Sequence, residues 1–233
     1  MTRDARRAFL IDVEGTTTPI AFVKDVLFPY ARSRLAAFAR ANSDVPAVAA
    51  AIRDAAALAG DPTMTDGEAV QALLRWSDED RKATPLKSLQ GLIWRGGYES
   101  GEVAGQVFAD AAAALREWQA RGIPTYMYSS GSVEAQKLLF RHSTAGDLLP
   151  TLAGHFDTAI GGKLEAQSYR TIADKIEAPP PSITFLSDHT GELAAARAAG
   201  MTAIRVNRPG EAIVSNEPWD GPVVASLAEV AAS

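Results

Sequence analysis

Cysteine is absent from this chain of 233 residues, and no apolar run reaches the roughly 18 residues that a membrane span needs. Without a thiol, the chain has no cysteine nucleophile, thiolate zinc site, iron–sulfur cluster or disulfide framework. The charged N-terminal residues lead into a short apolar run that Asp12 and Glu14 interrupt, which is not the pattern of a signal peptide. We therefore expect a soluble cytoplasmic protein with no membrane partner.

Basic residues are in the minority, since 23 Lys and Arg against 28 Asp and Glu give a formal net charge of −5. This balance argues against a protein that binds nucleic acid with a broadly basic surface, although it leaves room for a local phosphate site. The composition is 47% hydrophobic and 22% charged, which excludes disorder and collagen-like repeats. We expect a folded monomer without a nucleic-acid partner.

Five short apolar segments predict the strands of a sheet: residues 8–13, 125–129, 156–160, 183–187 and 203–207. Two of them are continuous in their apolar pattern rather than alternating, which is typical of parallel strands buried on both faces. Helical patterns separate the later strands, at 106–121, 132–142, 166–177 and 192–199. This alternation predicts an α/β fold with an open, Rossmann-like parallel sheet.

A long interval between the first two strands breaks the alternation. It is several times longer than a single parallel crossover needs, and its pattern predicts helices at 22–41, 45–59, 67–80 and 86–94. We therefore expect a core formed by residues 1–19 and 100–233, with a helical cap of residues 20–99 inserted after the first strand.

Polar residues follow four of the predicted strands, which is where ligands bind in an open α/β sheet. Each has an ordinary explanation by itself, because an acid can cap a helix, two serines and a glycine can form a turn, and a loop lysine can be solvated. In chain order these side chains are Asp12 and Glu14, Ser129 and Ser130, Lys163, and Asp188.

Together these residues suit phosphoryl transfer. Asp12 and Asp188 offer hard oxygen ligands for Mg²⁺, and Asp12 can attack phosphorus to give an aspartyl-phosphate. Glu14 can protonate the leaving oxygen and later activate water. Ser130 and the backbone N–H groups at the start of the helix at 132 can hold a phosphoryl oxygen, while Lys163 neutralises negative charge.

The ordered set Asp-x-Glu-Gly-Thr, Ser-Ser-Gly, Lys and Ser-Asp resembles the haloacid dehalogenase (HAD) superfamily of aspartate-nucleophile phosphatases. The segment IDVEGTTTPIAFVKDVLFPY at 11–30 resembles a narrower family, the enolase-phosphatases (acireductone synthases) of methionine salvage. The segments WRGGY at 94–98, YSSGS at 128–132 and FLSD at 185–188 resemble that family too. The resemblance covers nearly the whole chain, and the opening segment is its most specific part.

The resemblance implies a HAD-like core with a helical cap, and a two-step, Mg²⁺-dependent reaction of 2,3-diketo-5-methylthiopentyl-1-phosphate. Enolisation is followed by loss of phosphate, which gives the acireductone 1,2-dihydroxy-3-keto-5-methylthiopentene. The residues that match the family's motifs are the nucleophile and metal ligand Asp12, the acid Glu14 near the metal, the phosphate-binding residues Ser129, Ser130 and Lys163, and the metal carboxylate Asp188.

Glu14 departs from the wider superfamily, in which most phosphatases carry Asp at this position. The extra methylene lengthens the reach of the acid, and we suggest that it suits a site that also moves a proton on carbon.

Three other classes are alternatives to this interpretation. A generic HAD phosphatase of small sugar phosphates shares the core residues but gives no reason for the run after Glu14. A haloacid dehalogenase shares the fold without needing the metal site, and a phospho-receiver domain is much shorter and has no cap.

The sequence assigns no role to several further residues. Lys24 faces either the phosphate or solvent, and Glu192 either supports the metal through water or favours its helix N-terminus. No role follows for the three histidines, and core positions are the more common interpretation for the cap aromatics Phe22, Phe28, Trp94 and Tyr98.

Overall fold

The computed structural model describes residues 7–212 and 218–230. Two compact units are present: one contains the chain up to Ile20 and from Ala104 onward, and the other is Ala21–Val103. The second unit thus begins at residue 21 rather than 20 and ends at 103 rather than 99. That it acts as a cap stays a prediction.

The strands, in chain order, are β1 (Ala8–Ile11), β2 (Thr125–Tyr128), β3 (Gly154–Phe156), β4 (Ile183–Ser187), β5 (Thr202–Val206) and β6 (Val223–Val224). The α-helices of the described residues are α1 (Phe28–Ala41), α2 (Pro46–Leu58), α3 (Asp66–Asp78), α4 (Thr84–Ser100), α5 (Ala109–Ala120), α6 (Val133–Arg141), α7 (Ala166–Lys175) and α8 (Thr190–Ala198). None of these helices is long and apolar enough to cross a membrane.

The first unit is built on one parallel sheet with the strand order β3-β2-β1-β4-β5-β6. Phe9 of β1 pairs with Thr125 on one side and with Thr184 on the other. Because the strand order reverses at β1, the carboxyl ends of β1, β2 and β4 lie at the switch point where such sheets bind ligands. The predicted α/β class is confirmed.

Strand β1 is buried on both faces, as its continuous apolar run predicts. Leu10 lies in a cluster with Tyr128, Tyr169 and Phe185 on one side of the sheet. Phe9 packs on Trp118 of α5, with ring centroids 4.2 Å apart. Packing on both faces holds the strand in place, and so fixes the point from which the loop at Asp12 begins.

The second unit is helical throughout its core. A π-helical segment (Phe22–Leu27) precedes α1, and the helices bury an apolar cluster that includes Leu35, Leu73 and Leu89. Helix α3 begins with a capping box between Thr65 and Glu68, which satisfies backbone N–H groups of its first turn.

Helix α4 is longer than the predicted 86–94, because Gly96 and Gly97 do not end it. A Cβ at Gly97 would lie 2.6 Å from the Tyr30 hydroxyl, so this glycine lets α4 lie close to α1. The helix ends at Gly101, whose φ of 78° is left-handed.

Two further predictions are wrong in position. The third strand lies at Gly154–Phe156 rather than at 156–160, because the Asp157 carboxylate accepts the N–H groups of Val133 and Ala159 and turns the chain out of the sheet. The helix predicted from 106 begins at Ala109, because Phe108 is extended and donates its N–H to the carbonyl of Thr17 at 3.0 Å. The short edge strand β6 was not predicted.

Candidate active site

The loop after β1 holds Asp12 through its own backbone and threonine side chains. The N–H groups of Thr17 and Thr18 both donate to the carbonyl of Val13 at 2.9 Å. The Thr17 hydroxyl lies 3.3 Å from the Asp12 carbonyl, and the Thr16 hydroxyl donates to Oδ2 of Asp12 at 3.4 Å. The buried carboxylate of Asp12 is therefore fixed at the carboxyl end of β1.

Gly15 brings this loop against the end of β4. Its φ is +75°, and a Cβ at this position would lie 2.3 Å from Oδ2 of Asp188. A side chain is therefore excluded by both the backbone conformation and the contact. The Thr16 hydroxyl also accepts the N–H of Asp188 at 3.1 Å, so the same loop holds both predicted aspartates.

Lys163 lies between two carboxylates. Its Nζ contacts Oδ1 of Asp12 and is 2.7 Å from Oε2 of Glu192. The side chains of Lys163, Asp12 and Glu192 are only 10%, 7% and 12% exposed. Burial acts to lower the pKa of Lys163, but the charges of Asp12 and Glu192 outweigh it and the pKa is raised. Lys163 therefore remains an ammonium ion beside Asp12.

Glu192 belongs to this cluster, which neither of its two predicted roles anticipated. Its Oε2 accepts the hydroxyl of Ser187 at 3.0 Å in addition to pairing with Lys163. Burial, followed by the negative charge of Asp12, raises the pKa of both Glu192 and Asp188. The sequence signal for its place in the site is its position in the first turn of α8, four residues after Asp188.

These acids suit a hard divalent cation. Asp12, Asp188 and Glu192 bring up to three negative charges against the one charge of Lys163, and Mg²⁺ in proteins is commonly held by one or two carboxylates together with substrate phosphate and water. In residues 7–212 and 218–230, no group of three or more His, Asp or Glu side chains is arranged to hold a metal ion. The carboxylates of Asp12 and Asp188 have the chemistry that fits Mg²⁺, and the metal roles of Asp12, Glu14 and Asp188 stay predictions.

Glu14 lies in the same loop as Asp12 and is partly buried. Its backbone forms a bridge with Thr18, and the N–H of Gly15 donates to the Thr18 carbonyl at 2.8 Å. The loop thus places Glu14 beyond the end of β1, two residues from Asp12 along the chain. Its part in acid–base chemistry stays a prediction.

The serine segment after β2 forms a tight turn that leads into α6. Ser129 is buried, and its hydroxyl accepts the N–H of Gly131 at 3.0 Å, while Ser130 is partly exposed. The expectation of free N–H groups at the start of α6 is wrong for two of them. Val133 donates to Asp157 at 3.1 Å and Ala135 donates to the Ser132 hydroxyl at 3.2 Å. The phosphate-binding role of Ser129 and Ser130 stays a prediction.

Two of the histidines have structural contacts. His189 caps α8, because its Nδ1 accepts the N–H of Gly191 at 3.1 Å. His155 is hydrogen-bonded to Gln136, and burial lowers its pKa to about 4. Lys24 is exposed, and Phe22 and Tyr98 are buried.

Trp94 and Phe28 pack against each other within the helical unit. Their ring centroids are 6.0 Å apart, and the indole N–H of Trp94 donates to the carbonyl of Leu27 at 2.8 Å. These contacts give both rings a structural role, as the more common interpretation predicts.

The parallel sheet with the strand order β3-β2-β1-β4-β5-β6 belongs to a haloacid dehalogenase-like hydrolase. A family model with the description "Hydrolase: haloacid dehalogenase-like hydrolase" matches residues 6–200. Solved structures at low identity share the fold, among them CbbY from Rhodobacter sphaeroides in complex with phosphate, with a TM-score of 0.58 and 19% identity over 97% of this chain and 96% of that one.

The curated relatives identify a narrower family within the haloacid dehalogenase-like hydrolases. Enolase-phosphatase E1 of Parvibaculum lavamentivorans is 53% identical, covering 97% of this chain and 95% of the relative. Enolase-phosphatase E1 of Methylococcus capsulatus is 50% identical, covering 91% and 93%. The crystal structure of the UTR4 protein from Saccharomyces cerevisiae has a TM-score of 0.80 and 33% identity, covering 95% and 98%. The chain belongs to the enolase-phosphatase family of the HAD-like hydrolases, and it is a hydrolase of the phosphatase type. The resemblance found in the sequence is thereby confirmed.

Proposed function

We propose that this chain is a Mg²⁺-dependent enolase-phosphatase of methionine salvage that converts 2,3-diketo-5-methylthiopentyl-1-phosphate to the acireductone and phosphate. The observation that supports this most is the buried contact of Asp12 with Lys163 at the carboxyl end of β1. It sets a carboxylate nucleophile beside a permanent cation. The identity to enolase-phosphatases over nearly the whole chain supports the substrate.

In this proposal Asp12 is the nucleophile of the phosphatase step. An oxygen of its carboxylate forms a bond to phosphorus while the bond from phosphorus to the substrate oxygen breaks, which gives an aspartyl-phosphate. Glu14 donates the proton that the leaving oxygen takes up. Water then attacks phosphorus, Glu14 accepts the proton of that water, and inorganic phosphate leaves Asp12 free.

Lys163 and the serine segment hold the transferring group. The ammonium of Lys163 orients Asp12 in the resting enzyme and stabilises the charge that develops on the phosphoryl oxygens. Ser129 and Ser130 bind the phosphate from the end of β2. Asp12 and Asp188 would hold Mg²⁺, which supplies further neutralisation of the phosphate charge when bound.

The helical unit Ala21–Val103 is proposed to act as the cap that excludes water and contacts the substrate beyond its phosphate. Enolisation, the first step, moves a proton on carbon before phosphate is released. We propose that the protein carries out both steps as a cytoplasmic monomer.

A magnesium-dependent assay on the diketo phosphate tests the proposal by following enol absorbance and free phosphate together. We expect both signals, and we expect EDTA to abolish phosphate release. Turnover of small sugar phosphates in preference to the diketo phosphate would contradict the substrate and favour a generic HAD phosphatase. Full activity in the presence of EDTA would contradict the requirement for Mg²⁺.

A further inference from the structure

The loop that carries Lys163 is held by three hydroxyl groups. Tyr128 donates to the carbonyl of Gly161 at 2.9 Å, and Ser168 donates to the carbonyl of Gly162 at 2.8 Å. Tyr169 donates to the carbonyl of Lys163 itself at 2.8 Å. Three consecutive carbonyl oxygens are thus each bound by one side chain. We call these three side chains, Tyr128, Ser168 and Tyr169, the hydroxyl clamp.

The clamp is rigid because its members are buried in the core. Tyr128 and Tyr169 are fully buried, and Ser168 is 2% exposed. The two tyrosine rings meet edge to face with centroids 5.5 Å apart, and Tyr169 packs in the same manner on Phe185 of β4 at 5.1 Å. Strand β2, helix α7 and strand β4 therefore fix the positions of the donor hydroxyls.

The loop lies unusually close to the clamp. Gly161 has a φ of +137°, and a Cβ there would be 2.2 Å from the hydroxyl oxygen of Ser168. The backbone before Lys163 can follow this path only with a glycine. From it the Lys163 side chain passes Tyr128, with Nζ 5.7 Å from the ring centroid, and reaches Asp12.

We propose that the hydroxyl clamp is a set of positioning residues for phosphoryl transfer, and that Tyr169 contributes most because it binds the Lys163 carbonyl directly. Lysine carries a point charge on a flexible side chain. The position of its ammonium therefore depends on how firmly the backbone at Lys163 is held. A fixed backbone removes reorganisation from the transition state. The proposal rests on the proposed function, in which Lys163 acts on the phosphate.

The first test is Tyr169→Phe, with Tyr126→Phe as the matched control. Tyr126 lies on β2 with its ring centroid 6.1 Å from that of Phe156, and it is not part of the clamp. We expect Tyr169→Phe to lower kcat on the order of 10- to 100-fold with KM within about threefold, as misplacement of a charge by a fraction of an ångström would do. Tyr126→Phe keeps the wild-type kcat. Wild-type kcat in Tyr169→Phe would overturn the proposal.

The second test separates positioning from general damage to the fold. Tyr169→Phe is combined with Lys163→Ala, and the two single variants and the double variant form a cycle. With the ammonium removed, the loss of the Tyr169 hydroxyl should change the residual rate by less than about twofold. An equal loss with and without the Lys163 side chain would overturn the proposal, because it would mean that Tyr169 acts on the fold alone.

If the residual rate of Lys163→Ala is below detection, the same cycle is measured by calorimetry of orthovanadate binding, which mimics the transferring group. Tyr169→Phe should weaken binding only when Lys163 is present. Weakening of orthovanadate binding by the same factor with and without the Lys163 side chain would overturn the positioning role of the hydroxyl clamp. Wild-type protein that releases no phosphate would refute the proposed function, whereas active wild type with an unchanged Tyr169→Phe would refute the clamp alone.

Discussion

The guanidinium of Arg208 donates through Nε to the carbonyl of Thr16 at 2.7 Å, across 192 positions of the chain. The same side chain binds both carboxylate oxygens of Asp110 at 3.0 and 3.1 Å. Asp110 in turn accepts the N–H of Leu227 at 2.7 Å and the hydroxyl of Ser226 at 2.9 Å. A network around the buried Arg208 side chain therefore supports the loop of Asp12 through the carbonyl of Thr16.

Arg208→Ala is expected to destabilise the protein. Arg208 is 8% exposed, and its loss leaves Asp110 and the Thr16 carbonyl without this donor. We expect unfolding free energy to fall by about 2–4 kcal/mol, somewhat below the cost at a fully buried pair, because the Asp110 side chain is 23% exposed. Urea unfolding measures the change. Arg121→Ala removes an exposed ion pair with Glu117 and should cost less than about 1 kcal/mol. Equal costs in the two variants would contradict a structural role for the network.

The lowered pKa of Asp110 leads to a prediction of how the stability of the protein depends on pH. Burial acts to raise its pKa, but its hydrogen bonds, first that from Arg208, outweigh burial and the pKa lies below its ordinary value of 3.8. A carboxylate with a lowered folded-state pKa stabilises the protein fully above its ordinary pKa, and this contribution is lost as the pH falls through the folded value.

The difference in unfolding free energy between wild type and Asp110→Asn should therefore shrink below about pH 5 as the carboxylate becomes protonated. Urea unfolding at a series of pH values measures it. A difference that stays constant down to the acid limit of folding would show that the charge of Asp110 is not what the network uses.

Gly15→Ala tests the close approach of the Asp12 loop to Asp188. The variant combines a left-handed backbone with a Cβ 2.3 Å from Oδ2 of Asp188. We expect a loss of about 2 kcal/mol or more in unfolding free energy and at least about a tenfold loss of phosphate release, because both aspartates shift. Gly60→Ala is the matched control, since Gly60 has φ +88° and no atom within 4 Å of the added Cβ. It should cost about 1–2 kcal/mol, the cost of a left-handed backbone alone, and leave activity unchanged. Identical effects of the two alanine substitutions on activity would contradict the importance of the close approach between Gly15 and Asp188.

Asp12→Asn should abolish phosphate release, because an amide is not a competent nucleophile. We expect a loss of at least about 10⁴-fold in phosphate release, with circular dichroism showing a folded protein. Asp220→Asn changes an exposed carboxylate and serves as the control for loss of one charge. Near-normal turnover by Asp12→Asn would overturn its assignment as nucleophile.

Glu14→Asp tests whether the longer acid serves the step on carbon. The shorter side chain restores the residue that most HAD phosphatases carry, so we expect enolisation to decline more than phosphate release. Enol absorbance and free phosphate, recorded in one reaction, measure the two steps. A parallel decline of both signals would contradict a special role for the extra methylene.

The sequence predicted the elements best where local pattern and tertiary burial agree. Strand β4 occupies the predicted residues 183–187, and all five are buried. A continuous apolar run of this kind is typical of a strand that is covered on both faces of the sheet. Strand β3 was misplaced because its residues are only partly buried and its apolar pattern continues past Asp157. Asp157 ends the strand through contacts with Ala159 and with Val133, and the second joins residues 24 positions apart, for which the sequence carries no local signal.

The candidate site was predicted as a set of positions rather than as a set of contacts. Asp12, Lys163 and Asp188 follow strands whose carboxyl ends must meet in a parallel sheet, so their proximity follows from topology. The sequence does not decide the role of Glu192, because a glutamate in the first turn of a helix is also a common helix-stabilising residue. Its pairing with Lys163, which neither predicted role includes, is established only by the tertiary structure.

The amino-acid sequence alone determined the class of fold, the family and the acids and lysine that could do chemistry, because strand periodicity and short motifs are local properties. Tertiary structure decided which residues are in contact: Lys163 lies between Asp12 and Glu192, Gly15 lies against Asp188, and Arg208 donates to the carbonyl of Thr16. These contacts join residues far apart in the chain through buried hydrogen bonds and charges. Such energies depend on distance and burial in the folded protein, and spacing along the chain encodes neither.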